Sequence, residues 1–534
     1  MRNLPAGSLS DPFGEPVGWL SGRGWFRAAA IVVLVLAVYV AAFSPQWWVG
    51  KDGALYLILG RNLARGEGYV LAGRAHALVP PGLPAVLAVL MRLGIGSFLA
   101  INIVMGVMGL ACVLVAYLLV RRIVHRDWAL LVAAAFGLSN ELLQRSGEVL
   151  SDVPFTLLIL SALWLYYRGL GRDKPARGAW EAGSLLLVGA CWVRMAGLML
   201  AAGGAIGLLL SAGREARRRA LVNFAVVLVG CAVTLWLFYA HAAANPDPIA
   251  SSYIGLLRSY AGSMTLAERI ATPFIHFGEA SREFSRLLFC QTLPGLVCLL
   301  FLVAPVAVVM VGRIVRRDRV GPLVVACYIA GMCAAMVRIR TRYLLPVAPL
   351  LVLYLLEAYV WAARRLWARR DKAGQAVAAG LLVLVVGLNA VHVGRNIVDK
   401  HRPDYPTEQQ GGNWRDLPAV VEFLKANRPA GGRMLGEFAY GYLADIPVPM
   451  LPRALRYSSP TDAELRRLLA DMNVRVIVLH TDEDKSPFYE ALTRFLRQLG
   501  PPAFIHGVVE VHVLPEPAAA STEPADSPET PAHE

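Results

Sequence analysis

The chain has 534 residues, of which 56% are hydrophobic and 17% charged, with a formal net charge of +14 and a mean hydropathy of +0.51. A soluble domain carries roughly 45–50% apolar and about 25% charged residues, so this apolar surplus needs lipid to cover it. The apolar residues come in long uncharged blocks without a sustained heptad, which excludes disorder, collagen, coiled coil and a compact soluble enzyme and leaves an all-α multi-pass membrane protein. The basic residues sit in short Arg clusters between those blocks. That is the pattern of cytoplasmic loops, so membrane lipids are expected partners and nucleic acid is not.

In chain order, residues 1–25 read as a cytoplasmic N-terminal segment containing Arg2 and Arg23. The first apolar block runs from Phe26 to Phe43 and closes on the interfacial pair Trp47 and Trp48, without a small-residue cleavage site, so it reads as a signal anchor. Later spans are expected near 98–120, 128–143, 153–168, 181–196, 198–212, 221–240, 293–312, 322–337, 343–362 and 375–393, eleven in all over a transmembrane region 26–393. Alternation then puts five Arg-rich loops on one side: Arg121, Arg122 and Arg126; Arg168, Arg172, Lys174 and Arg177; Arg214 and Arg217 to Arg219; Arg313, Arg316, Arg317 and Arg319; and Arg364, Arg365, Arg369, Arg370 and Lys372. This parity predicts a bacterial inner (plasma) membrane protein with its N-terminus cytoplasmic and its C-terminal part outside.

Two outer loops are long. The first, about 49–96, holds a helical stretch from Asp52 to Arg65, a Gly66-Glu67-Gly68 turn, and a short apolar helix after Pro80-Pro81 that is too short to span. The second, about 241–291, has near-balanced charge and amphipathic spacing, as interfacial helices do. Segment 394–514 alternates helix and strand patterns, with strands at Arg433–Phe438, Val474–His480 and Phe504–Leu514, and reads as a small periplasmic α/β domain. Segment 515–534 is rich in Pro, Ala, Glu and Ser and reads as a disordered tail. The seven cysteines suggest no disulfide framework or zinc spacing. His76 and His276 read as polar surface residues, since neither has a second ligand at suitable spacing.

Ionisable groups at a membrane mouth are costly when unpaired, which makes them functional candidates. Four places qualify at the outer ends of spans: Asp52; Glu141, Glu148 and Asp152; Arg194; and Arg338, Arg340 and Arg342. A carboxylate can take the proton of an attacking hydroxyl or amine, while guanidiniums hold a phosphate leaving group through forked hydrogen bonds. The apolar bundle below can house an isoprenoid tail, and together these features describe sugar transfer from a lipid phosphate. Blander readings stand beside this one. Asp52 and Asp152 are also good N-cap residues, Arg194 can serve as the partner of an acidic neighbour, and the Arg338 to Arg342 stretch fits a cytoplasmic loop as well. The rival from another class is a transporter or flippase of a lipid-linked or anionic substrate, although internal repeats and broken spans around a midplane site are not evident.

The pattern Asp52-x-x-x-Tyr56 followed by Arg61-Asn62-Leu63-Ala64-Arg65-Gly66-Glu67-Gly68-Tyr69 resembles the first outer loop of the C-superfold (GT-C) glycosyltransferases, in the group of protein O-mannosyltransferases and aminoarabinose transferases. Pro80-Pro81-Gly82-Leu83-Pro84, Ser151-Asp152-Val153-Pro154-Phe155 and Arg342-Tyr343-Leu344-Leu345-Pro346 fit the same resemblance, which covers about residues 25–365. It implies a polyprenyl-phosphate sugar donor, an external acceptor that is a lipid, glycan or protein, and an inverting single displacement. It implies Asp52 as catalytic base and Asp152 as the second acid, with Glu148 as an alternative. The lipid-phosphate-binding set on this reading is Arg194, Arg338, Arg340, Arg342, Arg61, Tyr56 and Tyr343. The chain departs from the pattern at Gly53, where many members have Glu, and at Leu55, where the aminoarabinose enzymes are basic. No metal ligand set is evident, so no divalent cofactor is carried over.

Overall fold

A computed structural model describes residues 24–43, 51–170, 178–243, 264–335, 339–366, 371–401, 417–428, 431–449, 458–480 and 486–515. The chain divides after Pro406 into two compact units. The first is helical. Its elements are α1 (Gly24–Ala42), α2 (Lys51–Arg65), the strands β1 (Val70–Leu71) and β2 (Arg74–Ala75), α3 (Gly82–Arg92), α4 (Phe98–Val120), α5 (Arg126–Gly137), α6 (Asn140–Ser146), α7 (Asp152–Leu170), α8 (Ala179–Val193), α9 (Gly197–Ser211) and α10 (Arg217–Ala243). There follow α11 (Leu266–Phe289), α12 (Gly295–Val315), which contains a π-helical turn at Leu299–Val303, α13 (Val320–Ala334), a 3₁₀ segment Thr341–Val347, α14 (Ala348–Leu366) and α15 (Asp371–Lys400).

Among the described residues, six helices are long and apolar enough to cross a bilayer: α4, α7, α10, α12, α14 with its 3₁₀ lead-in, and α15. Their environments differ. The window within Thr341–Leu366 is 89% buried, which makes α14 the centre of the bundle, whereas α10 and α12 bury only 22% of theirs. The outward faces of α10 and α12 carry Leu221, Val229, Trp236, Leu296, Phe301 and Val308. Apolar surface of that extent is stable only against hydrocarbon. The expected third span, 128–143, is corrected by the structure. It breaks at Leu138-Ser139, where the Ser139 hydroxyl donates to Phe136 O and accepts from Leu142 N. The resulting α5 has 12 residues, only about 18 Å of helix. The helix over the last expected span, α15, runs on past residue 393 to Lys400.

The Arg-rich ends lie together. Arg219 makes a forked pair with Glu181 at 2.7 Å, Arg319 bonds Leu210 O at 2.5 Å, and Tyr167 bonds Asp318 at 2.7 Å. Arg313 joins Asp318 at 2.7 Å and Glu357 at 2.7 Å, and Arg121 and Arg122 share a hollow with Trp164. These contacts gather the C-terminal end of α7, the N-terminal ends of α8, α10 and α13, and the ends of α4 and α12. The opposite ends of α7, α8 and α14 therefore form the other mouth.

The segment between α1 and α4 folds on itself. β1 and β2 pair antiparallel through a turn at Ala72 and Gly73, both at positive φ. His76 and His276, expected on the surface, are 2% and 8% exposed. The His76 ring packs edge-on to Tyr69 at 5.7 Å and accepts from Val79 N. Burial, and secondarily His241, lowers the His76 pKa to about 4.

The second unit holds α16 (Leu417–Ala426), β3 (Arg433–Leu435), α17 (Phe438–Ala444), α18 (Asp462–Asp471), β4 (Val474–His480), α19 (Pro487–Leu499), β5 (Phe504–His506) and β6 (Val509–Val513). Its sheet has the order β3-β4-β6-β5, with β3 parallel to β4 and the other pairs antiparallel. β4 is buried along most of its length, and α18 and α19 supply Leu465, Leu469, Phe488, Leu492 and Phe495 to its core.

Two predictions follow from this packing. On α9, a Cβ at Gly203 would stand 2.7 Å from Leu323 O, and one at Gly207 would stand 2.7 Å from Val320 Cα. The pair forms a small-xxx-small contact with α13, so Gly203→Leu is expected to lower the melting temperature in detergent, whereas the same change at Gly189, which faces open space, leaves it unchanged. His76 is neutral in the folded loop, so the stability it contributes is present above about pH 6.5 and is lost as the pH falls toward 4. Limited proteolysis of the first loop is expected to accelerate over that window, and His76→Phe is expected to remove the dependence.

Candidate active site

Asp52 lies in the first turn of α2, where a carboxylate is favoured by the helix dipole. Its side chain is 62% exposed. Four residues on, Tyr56 is buried and donates to the Ser151 hydroxyl at 3.0 Å, which ties the start of α2 to the residue preceding Asp152. Asp152 opens α7, with Pro154 in the first turn, where a missing N–H costs nothing. It is 2% exposed. Arg194 occupies the extended break between α8 and α9 and donates to Asp152 Oδ1.

Arg342, in the 3₁₀ segment, connects these groups. One of its nitrogens, Nη2, stands 3.7 Å from Asp52 Oδ2, and Nη1 stands 4.0 Å from Asp152 Oδ2. Among the described residues, its Nε is buried without a hydrogen-bond partner. The Tyr343 ring lies under both guanidiniums, 5.0 Å from Arg194 and 5.3 Å from Arg342, and Tyr343 O accepts from Tyr328 at 2.7 Å. Side chains from residues 52, 152, 194 and 342 thus form one cluster.

Beside it, Glu141, Arg145, Glu283, Arg286, Ile339, Arg340, Thr341 and Arg342 line a cavity of about 370 Å³. Four guanidiniums face two carboxylates there, an excess that suits an anion. Arg145 and Arg286 are paired with their own helix neighbours, Glu141 at 2.8 Å and Glu283 at 2.9 Å, and Glu283 also accepts from Thr341. Arg340 is exposed at the rim.

The remaining expected residues fall elsewhere. Glu148 is buried behind the cavity lining and held by Arg145 at 2.6 Å, apart from the Asp52 cluster. Burial raises its carboxyl above the ordinary value, against the pull of Arg145 and then Lys400. Arg61 lies nine residues along α2 from Asp52, about 14 Å down the axis, and is not among the groups around Arg342. Arg338 lies outside the described residues. Arg145, Arg286 and Thr341 were not singled out from sequence. The signal for Arg145 was its spacing of four from Glu141 and three from Glu148, the separation at which helical side chains meet. Among the described residues, no group of three or more His, Cys, Asp or Glu is placed to hold a metal ion.

Residues 78–243 match the family model described as dolichyl-phosphate-mannose-protein mannosyltransferase, a stretch that includes Asp152 and Arg194 but neither Asp52 nor Arg342. No curated protein sequence matches. Among solved structures, the chain is similar to ArnT from Cupriavidus metallidurans bound to undecaprenyl phosphate, at 13% identity and TM-score 0.54 over 92% of this chain and 98% of that one. The apo form of the same enzyme gives 14% and 0.55 over 92% and 98%. The archaeal oligosaccharyltransferase AglB from Archaeoglobus fulgidus, in complex with an inhibitory peptide and a dolichol-phosphate, gives 13% and 0.53 over 86% and 70%. The chain shares the fold of these solved structures, in keeping with the helical membrane fold that the sequence resemblance implied. These comparisons lend no support to the transporter alternative.

Replacing Arg194 separates the two carboxylates by their burial. Arg194→Ala strands the buried Asp152 carboxylate, a loss on the order of 3–5 kcal/mol, so a clear drop in melting temperature is expected. Asp52→Asn, at an exposed position, is expected to leave the melting temperature nearly unchanged. Equal shifts in thermal denaturation would contradict this assignment.

Proposed function

We propose that the chain is a membrane glycosyltransferase that moves a sugar from a polyprenyl-phosphate donor to an external lipid, glycan or protein acceptor. The observation that carries this reading is Arg342, which faces the exposed Asp52 on one side and the buried Asp152–Arg194 pair on the other. The matched family is described by a dolichyl-phosphate sugar donor, and the ArnT and AglB structures hold undecaprenyl phosphate and dolichol-phosphate.

In the reaction, Asp52 accepts the proton of the acceptor hydroxyl or amine as that atom attacks the anomeric carbon. The bond from the anomeric carbon to phosphate oxygen breaks on the opposite face, its electron pair leaves with the lipid phosphate, and configuration inverts. Arg342 and Arg340 hold the departing phosphate. Arg194 fixes Asp152, which orients Arg342. Sharing a guanidinium keeps the Asp52 carboxylate pointed at the mouth.

The gathered Arg-rich ends support a cytoplasmic location for that mouth, and on this reading the Asp52 cluster and the C-terminal part face the periplasm of a bacterial inner membrane. Together α5 and α6 make one crossing, because α5 begins beside Arg121 and Arg122 and α6 ends at the cavity. That keeps the odd number of spans that the topology requires.

The test uses purified full-length protein in nanodiscs with a radiolabelled undecaprenyl-phosphate sugar and an envelope extract as acceptor source. The wild type is expected to form labelled product, and Asp52→Asn is expected to slow transfer at least about 100-fold without change in melting temperature. Near-normal transfer by Asp52→Asn excludes it as the base. Labelled lipid that crosses the membrane unchanged excludes the transferase.

A further inference from the structure

α15 is apolar and carries an unusual stripe. Asn389, Asn396 and Lys400 are separated by seven and four residues, with the buried Val393 between them, so all lie on one helical face. A buried Asn in a membrane span is costly unless satisfied, and Asn389 is 1% exposed. Besides Val385 O on its own helix, its bonds run to the start of α6 and the end of α11. Asn389 Oδ1 accepts from Asn140 N at 2.9 Å and from the Cys290 thiol at 3.3 Å, while Nδ2 donates to Leu288 O at 2.7 Å. Asn396 Nδ2 donates to Asn140 Oδ1 at 2.6 Å.

Lys400 completes the stripe. A Cβ on Gly147 would stand 3.0 Å from its Nζ, and its ammonium acts on Glu148. Glu148 in turn grips Arg145 Nη1 at 2.6 Å, and Arg145 lines the cavity with Arg342. The stripe therefore clamps α6 at both ends: Asn389 and Asn396 at Asn140, and Lys400 just past Ser146. α6 has seven residues, too few for a helix to hold its own shape, so the set of Arg145 depends on what α6 is fastened to.

We propose that Asn389, Asn396 and Lys400 are positioning residues that set α6, and through it Arg145 and Glu141, for substrate binding in the cavity. This rests on the glycosyltransferase reading for its kinetic consequence, but not for its structural one. The stripe touches no reacting atom, so it acts on binding and leaves the chemical step to Asp52.

The experiment uses full-length protein in nanodiscs and compares the wild type with Lys400→Met, Lys400→Arg, Asn396→Leu, Glu148→Gln and the Lys400→Met/Glu148→Gln pair. Hydrogen exchange reads the α6 amides, undecaprenyl phosphate binding is measured directly, and transfer gives KM and kcat. Lys400→Met and Asn396→Leu are expected to raise α6 exchange about tenfold while the amides of α9 and α13 stay protected. The same variants are expected to weaken binding or raise the KM for donor or acceptor about fivefold or more, with kcat within twofold, and Lys400→Arg is expected to restore both. The double variant is expected to be no worse than its worse single variant, because both act through Arg145. Unchanged α6 exchange, exchange that rises through the whole bundle, or a fall in kcat at constant KM overturns the proposal. If the wild type transfers no sugar, the functional reading fails, while the exchange and rescue data still decide whether α15 sets α6.

Discussion

Arg342 holds the candidate site together because it must serve two carboxylates with very different surroundings. Asp152 is almost fully enclosed, so its charge is tolerable only with Arg194 against it. Asp52 faces water and needs no such rescue, but without a fixed cation it has no reason to point at the cavity. Placing one guanidinium between them makes an enclosed pair into an anchor for an exposed carboxylate. Tyr343, stacked under both guanidiniums, limits how far either can swing.

That arrangement is possible only because the bundle fixes four chain segments far apart in sequence. α14 sits at the centre and carries Arg342 on its lead-in. α9 approaches α13 closely enough that glycine is required at Gly203 and Gly207, and this closeness sets the height of the α8–α9 break bearing Arg194. α2 is pinned through Tyr56 and Ser151. At the opposite ends, Arg219 and Arg313 are held in ion pairs with Glu181, Asp318 and Glu357. At the mouth that carries Asp52, Arg340 and Arg342 line the cavity.

Much of this was legible in the sequence, for identifiable reasons. Hydropathy marks lipid-facing helices strongly, because the bilayer punishes every exception, and the charges at Asp52, Asp152, Arg194 and Arg342 stood out as such exceptions. The break at Ser139 was not legible, since Leu138, Leu142 and Leu143 keep the apolar pattern running across it, and the capping role of Ser139 shows only in three dimensions. The histidines were misjudged because their partners, Tyr69 for His76 and Cys333 O for His276, are supplied by loop folding and by a distant helix. The resemblance offered Glu148 as an alternative to Asp152, and only the folded course of the chain after α6 sets it against Arg145. The role of Asn389 was hidden for a similar reason, as a single Asn in a span says nothing about what it reaches.

The most direct measurement is an electron cryomicroscopy map of the full-length protein in nanodiscs with undecaprenyl phosphate. If Arg342 joins base and leaving group, the phosphate density will lie within hydrogen-bond distance of the Arg342 guanidinium, on the side facing Arg340 and the exposed Asp52. Phosphate seated at the opposite end of the bundle, among Arg219, Arg313 and Arg319, would contradict that placement outright.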